Sequence, residues 1–280
     1  MRFADELNFV LTNYLPRRWA TRLIGRISKS ENWLVRGVTM GLWRLFCNVD
    51  LSDARERRFK SMHDCFTRRL KDGARAIDLD PAILTSPSDG LVGACGRIDA
   101  DLLLQAKGMY YTLSDLLGDA ALARSFGGGW YVTLRLTAGM YHRFHAPYDC
   151  RIEQVTYFPG DVWNVNPPAL QRVDRLFCRN ERAVMLARLD RSSHFVALIP
   201  VAAILVAGIR LHFLDLTLSA SYRGPNTLSC AASLQKGQEM GWFEHGSTII
   251  VIAPAEFRPL PAVTTGALLR VGQALFARRQ

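Results

Sequence analysis

The chain has 280 residues, 49% of them hydrophobic and 21% charged, a composition that excludes a disordered chain and suffices for one sizeable core. Its formal charge is +10, and the excess is uneven: residues 1–75 hold 16 Lys and Arg against 8 Asp and Glu. Such an asymmetry points to an anionic partner, and with no recognised nucleic-acid motif a membrane surface is favoured over nucleic acid.

Residues 5–50 read as short amphipathic helices. Leu7, Val10, Leu11, Leu15, Trp19, Leu23, Ile24 and Ile27 recur at three- and four-residue spacing, with Arg17, Arg18, Arg22, Arg26 and Lys29 among them. Trp33, Leu34, Trp43, Leu45 and Phe46 follow beside Arg36 and Arg44. Basic residues mixed with Trp and Leu suit helices lying in a membrane interface. The alternative is a helical hairpin packed on its own domain with a solvated basic face. Residues 55–75 predict another helix, ending at Gly73.

From about residue 83 the texture changes to short β-rich runs between turn residues, among them WYVTLRLTAG, CRIEQVTYFPGD, RAVMLARLD and TIIVIAP. One helix is expected at Leu113–Leu117. The 15-residue apolar run from Phe195 to Ile209 contains Pro200 and falls short of the roughly 20 residues that span a bilayer. It reads as two buried strands. The N-terminal MRFADELNFV carries early acids and no apolar stretch, so it does not read as a secretory leader. The expected fold class is α+β: a β-rich catalytic domain over 76–280, preceded by a basic amphipathic helical region over 1–75.

Six scattered cysteines form no CxxC pair, which argues against zinc and for a reduced setting. GGG at 127–129 is a loop, since no GK[ST] follows it.

Three segments could carry chemistry. Ser247 follows Gly246 and precedes the strand-like TIIVIAP. A turn there would expose its hydroxyl and the preceding peptide bond, and a glycine at 246 removes the Cβ that would hinder attack on its carbonyl. A Gly-Ser-Thr is also an ordinary turn. His142 and His145 lie three apart in YHRFHAP, where either could exchange a proton near neutrality. They could equally be hydrogen-bonded at a strand end, or ligate a metal, although no third ligand stands out. Asp89 in SPSDG could orient a histidine as in a hydrolase triad, or cap its own turn.

Taken together these segments resemble phosphatidylserine decarboxylase. The resemblance runs in order through FTRRLKDGARAID (66–78), SPSDG (86–90), LLQAKGMYYTLSDLLG (103–118), YHRFHAP (141–147), PGDVWNVNP (159–167), LFCRNERAVML (176–186), KGQEMGWFEHGST (236–248) and LLRVGQALF (268–276). It implies self-cleavage between Gly246 and Ser247 into a large subunit (1–246) and a small one (247–280). Ser247 would become a covalent pyruvoyl group, with Asp89 and His145 activating it and His142 serving decarboxylation. The pyruvoyl group would form a Schiff base with phosphatidylserine, and loss of carbon dioxide would yield phosphatidylethanolamine, with no metal. The resemblance further implies N-terminal helices that dock on anionic membranes, a peripheral location on the cytoplasmic face of a bacterial cell membrane, and a homodimer.

Several places depart from the family's usual pattern: Ala138 stands for a common Pro, Met140 for a common Asp, His245 for a common Leu, and VAAILVAGI (201–209) for the more common VGA..VGSI. None removes an inferred catalytic group. Competing readings are a non-processing lipid-binding relative, a pyruvoyl decarboxylase for another amine, and a hydrolase using Ser247, His145 and Asp89. The last lacks a GxSxG elbow around the serine.

Overall fold

The computed structural model describes residues 17–47, 49–190, 192, 194–204, 208–244 and 247–279. Helices α1 (Arg17–Ser28), α2 (Trp33–Phe46) and α3 (Met62–Phe66) come first. Strands β1 (Ile83–Thr85), β2 (Gly90–Arg97), β3 (Leu102–Ala106) and β4 (Met109–Thr112) follow, then helix α4 (Leu113–Leu117). The rest is mainly β: β5 (Trp130–Leu136), β6 (Arg143–His145), β7 (Cys150–Phe158), β8 (Arg182–Leu189), β9 (Phe195–Ala202), β10 (Ile209–Leu211), β11 (Leu216–Leu218), β12 (Thr227–Leu234), β13 (Glu239–Phe243), β14 (Ser247–Ala253), β15 (Phe257–Pro259), β16 (Leu268–Leu269) and β17 (Ala274–Arg278). A β-rich core preceded by helices is therefore present.

The main sheet has eight strands in the order β12-β7-β8-β9-β14-β5-β2-β16, and every pairing is antiparallel. β14 lies inside it. Val251 and Ile249 face one apolar cluster with Leu134 and Leu136, while Ile250 and Ile252 face another with Ile199 and Phe177. All seven residues of β14 are buried, which is why STIIVIA is apolar throughout rather than alternating. A smaller sheet, β11-β10-β13-β6, carries the YHRFH segment.

The apolar run 195–209 forms β9 and the start of β10, two buried strands as expected. Pro200 is tolerated inside β9 because it pairs only towards β14, opposite Ile249. On the β8 side the register passes from Leu198–Met185 to Val201–Arg182 with no bridge at Pro200, so its missing donor falls in that gap. The short helix α4 also forms as expected, capped by the Thr112 side chain and closed by Gly118 at φ 69°.

The helix expected over 55–75 shortens to α3. The chain doubles back, with Ala54 bridging Leu70 and the Arg55 amide donating to the Arg69 carbonyl. Arg143 captures the carbonyl oxygens of Thr67 (2.6 Å from Nη2) and Arg68 (3.1 Å from Nε), which a continuing helix would need for its own ladder. Gly73 does take a positive φ of 75°, but in a turn.

Helices α1 and α2 turn apolar stripes outward. Trp19, Leu23 and Ile27 are exposed on α1; Leu34, Val38, Leu42 and Leu45 are exposed on α2, with Trp33 and Phe46 at its two ends. Trp43 points the other way, into a cluster with Phe66 and Phe59. Among the described residues, no helix is long and apolar enough to cross a membrane. The part of the N-terminal pattern before residue 17 lies outside the described residues.

Candidate active site

Three neighbouring strands bring the predicted residues to one end of the main sheet. Ser247 opens β14 opposite Leu136, the last residue of β5. Asp89 immediately precedes β2, whose Leu91 pairs with Arg135 of β5. Asp89 and Ser247 thus sit two strand spacings apart, about 10 Å. A link of six residues leads from β5 to β6 and carries Tyr141 and His142. The His142 carbonyl accepts the Phe243 amide at 3.0 Å, four residues before Ser247, and the His145 amide donates to Pro87 in the SPSDG turn at 2.8 Å.

Ser247 is fully buried, which corrects the expectation of an exposed hydroxyl. The strand that it opens is flanked by β5 and β9 from its first residue, where Ser247 faces Leu136 and Ala202. Its Oγ is buried without a hydrogen-bond partner among the described residues. Leaving such a group unsatisfied costs about 1–3 kcal/mol, and in a folded protein it calls for an explanation such as a chemical role. Gly246 and His245 lie outside the described residues.

His145 is held at both ring nitrogens. Nδ1 lies 2.8 Å from the Gly237 carbonyl oxygen, and Nε2 lies 3.0 Å from the Tyr141 hydroxyl. A carbonyl only accepts, so Nδ1 carries the proton and the Nε2 lone pair accepts from the phenol. Burial pushes the imidazole pKa below its usual value, outweighing the opposing pull of the Gly237 carbonyl, Glu239 and Asp89. Burial also pushes the Tyr141 phenol up, so that it remains a donor. The result is a neutral imidazole with its basic nitrogen at Nε2.

Asp89 does not hold that imidazole directly. Its carboxylate is forked by Arg75, with Nε to Oδ1 at 3.0 Å and Nη2 to Oδ2 at 2.6 Å, and it accepts the Val271 amide at 2.9 Å. Arg75 also reaches Asp53 at 2.7 Å. The orienting role that the triad analogy gave Asp89 falls to Gly237, and Asp89 acts on His145 through its field. His142, at the same sheet end, has other partners. Its ring stacks on Phe66 with centroids 3.9 Å apart and planes at 19°, and Nε2 lies 3.1 Å from the Thr137 carbonyl.

Beside this sheet end lies a mostly apolar cavity of about 360 Å³. Its wall includes Leu136, the partner of Ser247; Phe66 and Thr137, the contacts of His142; and Ile24 and Trp43 from α1 and α2. The volume falls in the range of small-molecule sites. No group of three or more His, Cys, Asp or Glu among the described residues could hold a metal ion, and the six cysteines are free thiols.

A sequence model described as phosphatidylserine decarboxylase matches residues 62–277. The chain belongs to the phosphatidylserine decarboxylase family. It is 33% identical over 257 residues to the phosphatidylserine decarboxylase proenzyme of Acinetobacter baumannii ATCC 17978, covering 90% of this chain and 88% of that one. It is 36% identical over 287 residues to the proenzyme of Xanthomonas euvesicatoria pv. vesicatoria 85-10, covering 96% and 98%. For the proenzyme of Xanthomonas oryzae pv. oryzae MAFF 311018 the identity is 37% over 291 residues, covering 96% and 97%. The chain is thus a member of a decarboxylase family, as its ordered motifs suggested.

Sequence reasoning singled out Ser247, Asp89 and both histidines but gave no part to Arg75, Tyr141 or Gly237. Arg75 and Gly237 lie inside segments that carried the resemblance, and Tyr141 begins one. Nothing local distinguishes them, because their importance comes from partners 14, 92 and 4 positions away.

Proposed function

We propose that this chain cleaves itself between Gly246 and Ser247, converts Ser247 into a pyruvoyl group and decarboxylates phosphatidylserine to phosphatidylethanolamine. The buried, unpartnered hydroxyl of Ser247 carries this reading. A serine whose buried hydroxyl has no partner among the described residues, at the sheet end that also holds Asp89 and the two histidines, suits self-processing. Neutral His145, poised by Gly237 and Tyr141, is assigned as the base that takes the serine proton, its Nε2 lone pair exchanging the Tyr141 hydroxyl for that of Ser247. Asp89, held by Arg75, stabilises the positive charge which then develops on the imidazole.

The residues present fit a pyruvoyl group, since Ser247 is buried at the sheet end beside a mostly apolar cavity. When formed, the group would supply an electrophilic carbonyl for the substrate amine and a sink for the electron pair released with carbon dioxide, the Schiff-base chemistry of pyruvoyl decarboxylases. His142, fixed between Phe66 and the Thr137 carbonyl, returns a proton to the substrate carbon. Burial of the site away from water favours loss of a carboxylate, which is stabilised mainly by hydration.

The outward apolar stripes of α1 and α2, flanked by Arg26, Arg36 and Arg44, support docking on an anionic membrane surface. The α1 and α2 side chains in the cavity wall would let a headgroup reach the site from that surface. The enzyme would then work as a peripheral protein on the cytoplasmic face of a bacterial membrane, as a homodimer of cleaved precursors. The helical region 1–75 would serve docking and the domain 76–280 catalysis.

Intact mass of the denatured protein, followed by a decarboxylation assay on phosphatidylserine vesicles, tests this reading. Expected are two chains, 1–246 and a pyruvoyl-blocked 247–280, and release of carbon dioxide. A chain that stays whole after incubation with phosphatidylserine membranes refutes it, as does full activity in Ser247→Ala.

A further inference from the structure

Arg135 is the penultimate residue of β5, directly across from Thr248 and next to the residue facing Ser247. Its side chain is half-buried and forms part of the wall of the 360 Å³ cavity. Other arginines around this region are neutralised or capped. Arg75 pairs with Asp89 and Asp53, Arg143 with Glu239, and Arg68 donates to the Gly139 carbonyl. Its backbone is paired in β5, but among the described residues the Arg135 guanidinium has neither an ion pair nor a hydrogen bond. Desolvation alone lowers its pKa, with no carboxylate offsetting it. A guanidinium partly withdrawn from water without a counter-charge is costly, and that cost is recovered when an anion enters beside it.

We infer that Arg135 is the anchor for the phosphodiester of the substrate headgroup and thereby sets the preference for a phosphate-bearing amine over a free amino acid. The inference rests on the reading of the site as a phosphatidylserine decarboxylase. Two anionic groups of that substrate could in principle meet Arg135. Pairing with the carboxylate would stabilise the charge that must leave that group during decarboxylation, and would raise the barrier. The phosphodiester keeps its charge throughout, so a guanidinium there binds ground state and transition state alike. The flat, forked guanidinium also suits two phosphate oxygens at once. The remaining wall is consistent with this division. Ile24, Trp43 and Val165 offer apolar surface for the glycerol end, and Arg135 is the cation among the wall residues.

Uniform binding predicts a split between kinetic constants. In Arg135→Gln, KM for phosphatidylserine in mixed micelles should rise roughly tenfold to a hundredfold, the range for a lost charge-assisted hydrogen bond, while kcat stays within about threefold. Arg135→Lys should recover part of the loss. The inhibition constant of phosphatidylethanolamine, which has the phosphodiester but no carboxylate, should rise in parallel with KM. Complete conversion of both variants to two chains, read by mass, reports an intact fold. An unchanged KM overturns the inference. So does a raised kcat with an unchanged phosphatidylethanolamine constant, which would assign Arg135 to the carboxylate.

A second measurement does not depend on turnover. Ser247→Ala protein, uncleaved, is titrated calorimetrically with glycerophosphoserine and, separately, with inorganic phosphate. Binding of the diester that is lost on adding Arg135→Gln supports the anchor. Inorganic phosphate binding as tightly as the diester would overturn the headgroup assignment. If the wild-type chain cleaves and binds the diester through Arg135 but releases no carbon dioxide, the decarboxylase reading fails while the anion site stands.

Discussion

Arg75 grips Asp89 through two of its nitrogens while a third reaches Asp53, so one guanidinium ties two carboxylates from different turns. Both partners of the closer pair are nearly buried. Removing one side of such a pair leaves an uncompensated charge, typically at a cost of about 3–5 kcal/mol. Arg75→Met should therefore lower the urea midpoint and slow appearance of the 247–280 fragment. A variant with wild-type midpoint and cleavage time course would show that Asp89 does not need its partner.

Gly237 combines a φ of +81° with a carbonyl that holds His145. A Cβ there would lie 2.8 Å from Cγ1 of Ile77. Gly237→Ala should cost about 1–3 kcal/mol through strain at this φ and should also slow cleavage by moving the imidazole. Chemical denaturation and a cleavage gel check the two effects separately. Slowed cleavage without loss of stability would mean that the backbone relaxes out of this φ and takes the histidine with it.

The pH dependence follows from burial of His145. Its folded-state pKa lies below the ordinary 6.5, so the unfolded chain binds the extra proton first. The contribution of this residue to stability is whole above about pH 6.5 and declines as the pH falls towards the folded value. His63, also lowered mainly by burial, acts with the same sign. The acid limb of the self-cleavage rate should accordingly lie below pH 6.5. Tyr141→Phe removes a donor that favours neutral imidazole, so it should move that limb upward. A limb unmoved in Tyr141→Phe would remove the phenol from the site.

The proposed membrane docking gives a separate prediction. Replacing Leu34, Val38 and Leu45 together by Ser removes outward apolar surface of α2 without touching its inward Trp43. Cosedimentation with phosphatidylserine-containing vesicles should fall by about tenfold or more, at roughly 25 cal/mol per Å² of apolar area. Cleavage to two chains should be unaffected. Equal vesicle binding by the triple variant would mean that docking uses another surface.

The β-rich core was legible because its strands are local patterns: STIIVIA is apolar throughout, and its strand is covered on both faces. The short helix Leu113–Leu117 was legible for a similar reason, since Thr112 and Gly118 mark its ends. Residues 55–75 misled because their helical periodicity competes with a distant side chain, Arg143, which takes the carbonyls of Thr67 and Arg68. At the site, the identities of Ser247, Asp89 and the histidines could be read, but their partners could not. Asp89 and Arg75 are 14 positions apart and His145 and Gly237 are 92 apart, and no spacing rule selects such pairs. Ser247 likewise looks like a turn residue locally, and only the register with Leu136 and Ala202 shows it sealed inside the sheet.

The interior position of β14 also decides what a cut before Ser247 would release. The strand is bonded along both edges, and the residues after it supply β15 and β17 to a second sheet and β16 to the rim of the first. A severed 34-residue tail would need to strip seven buried side chains and two ladders from their neighbours before it could depart. Breakage would therefore convert one polymer into an interlocked pair with almost no change of shape.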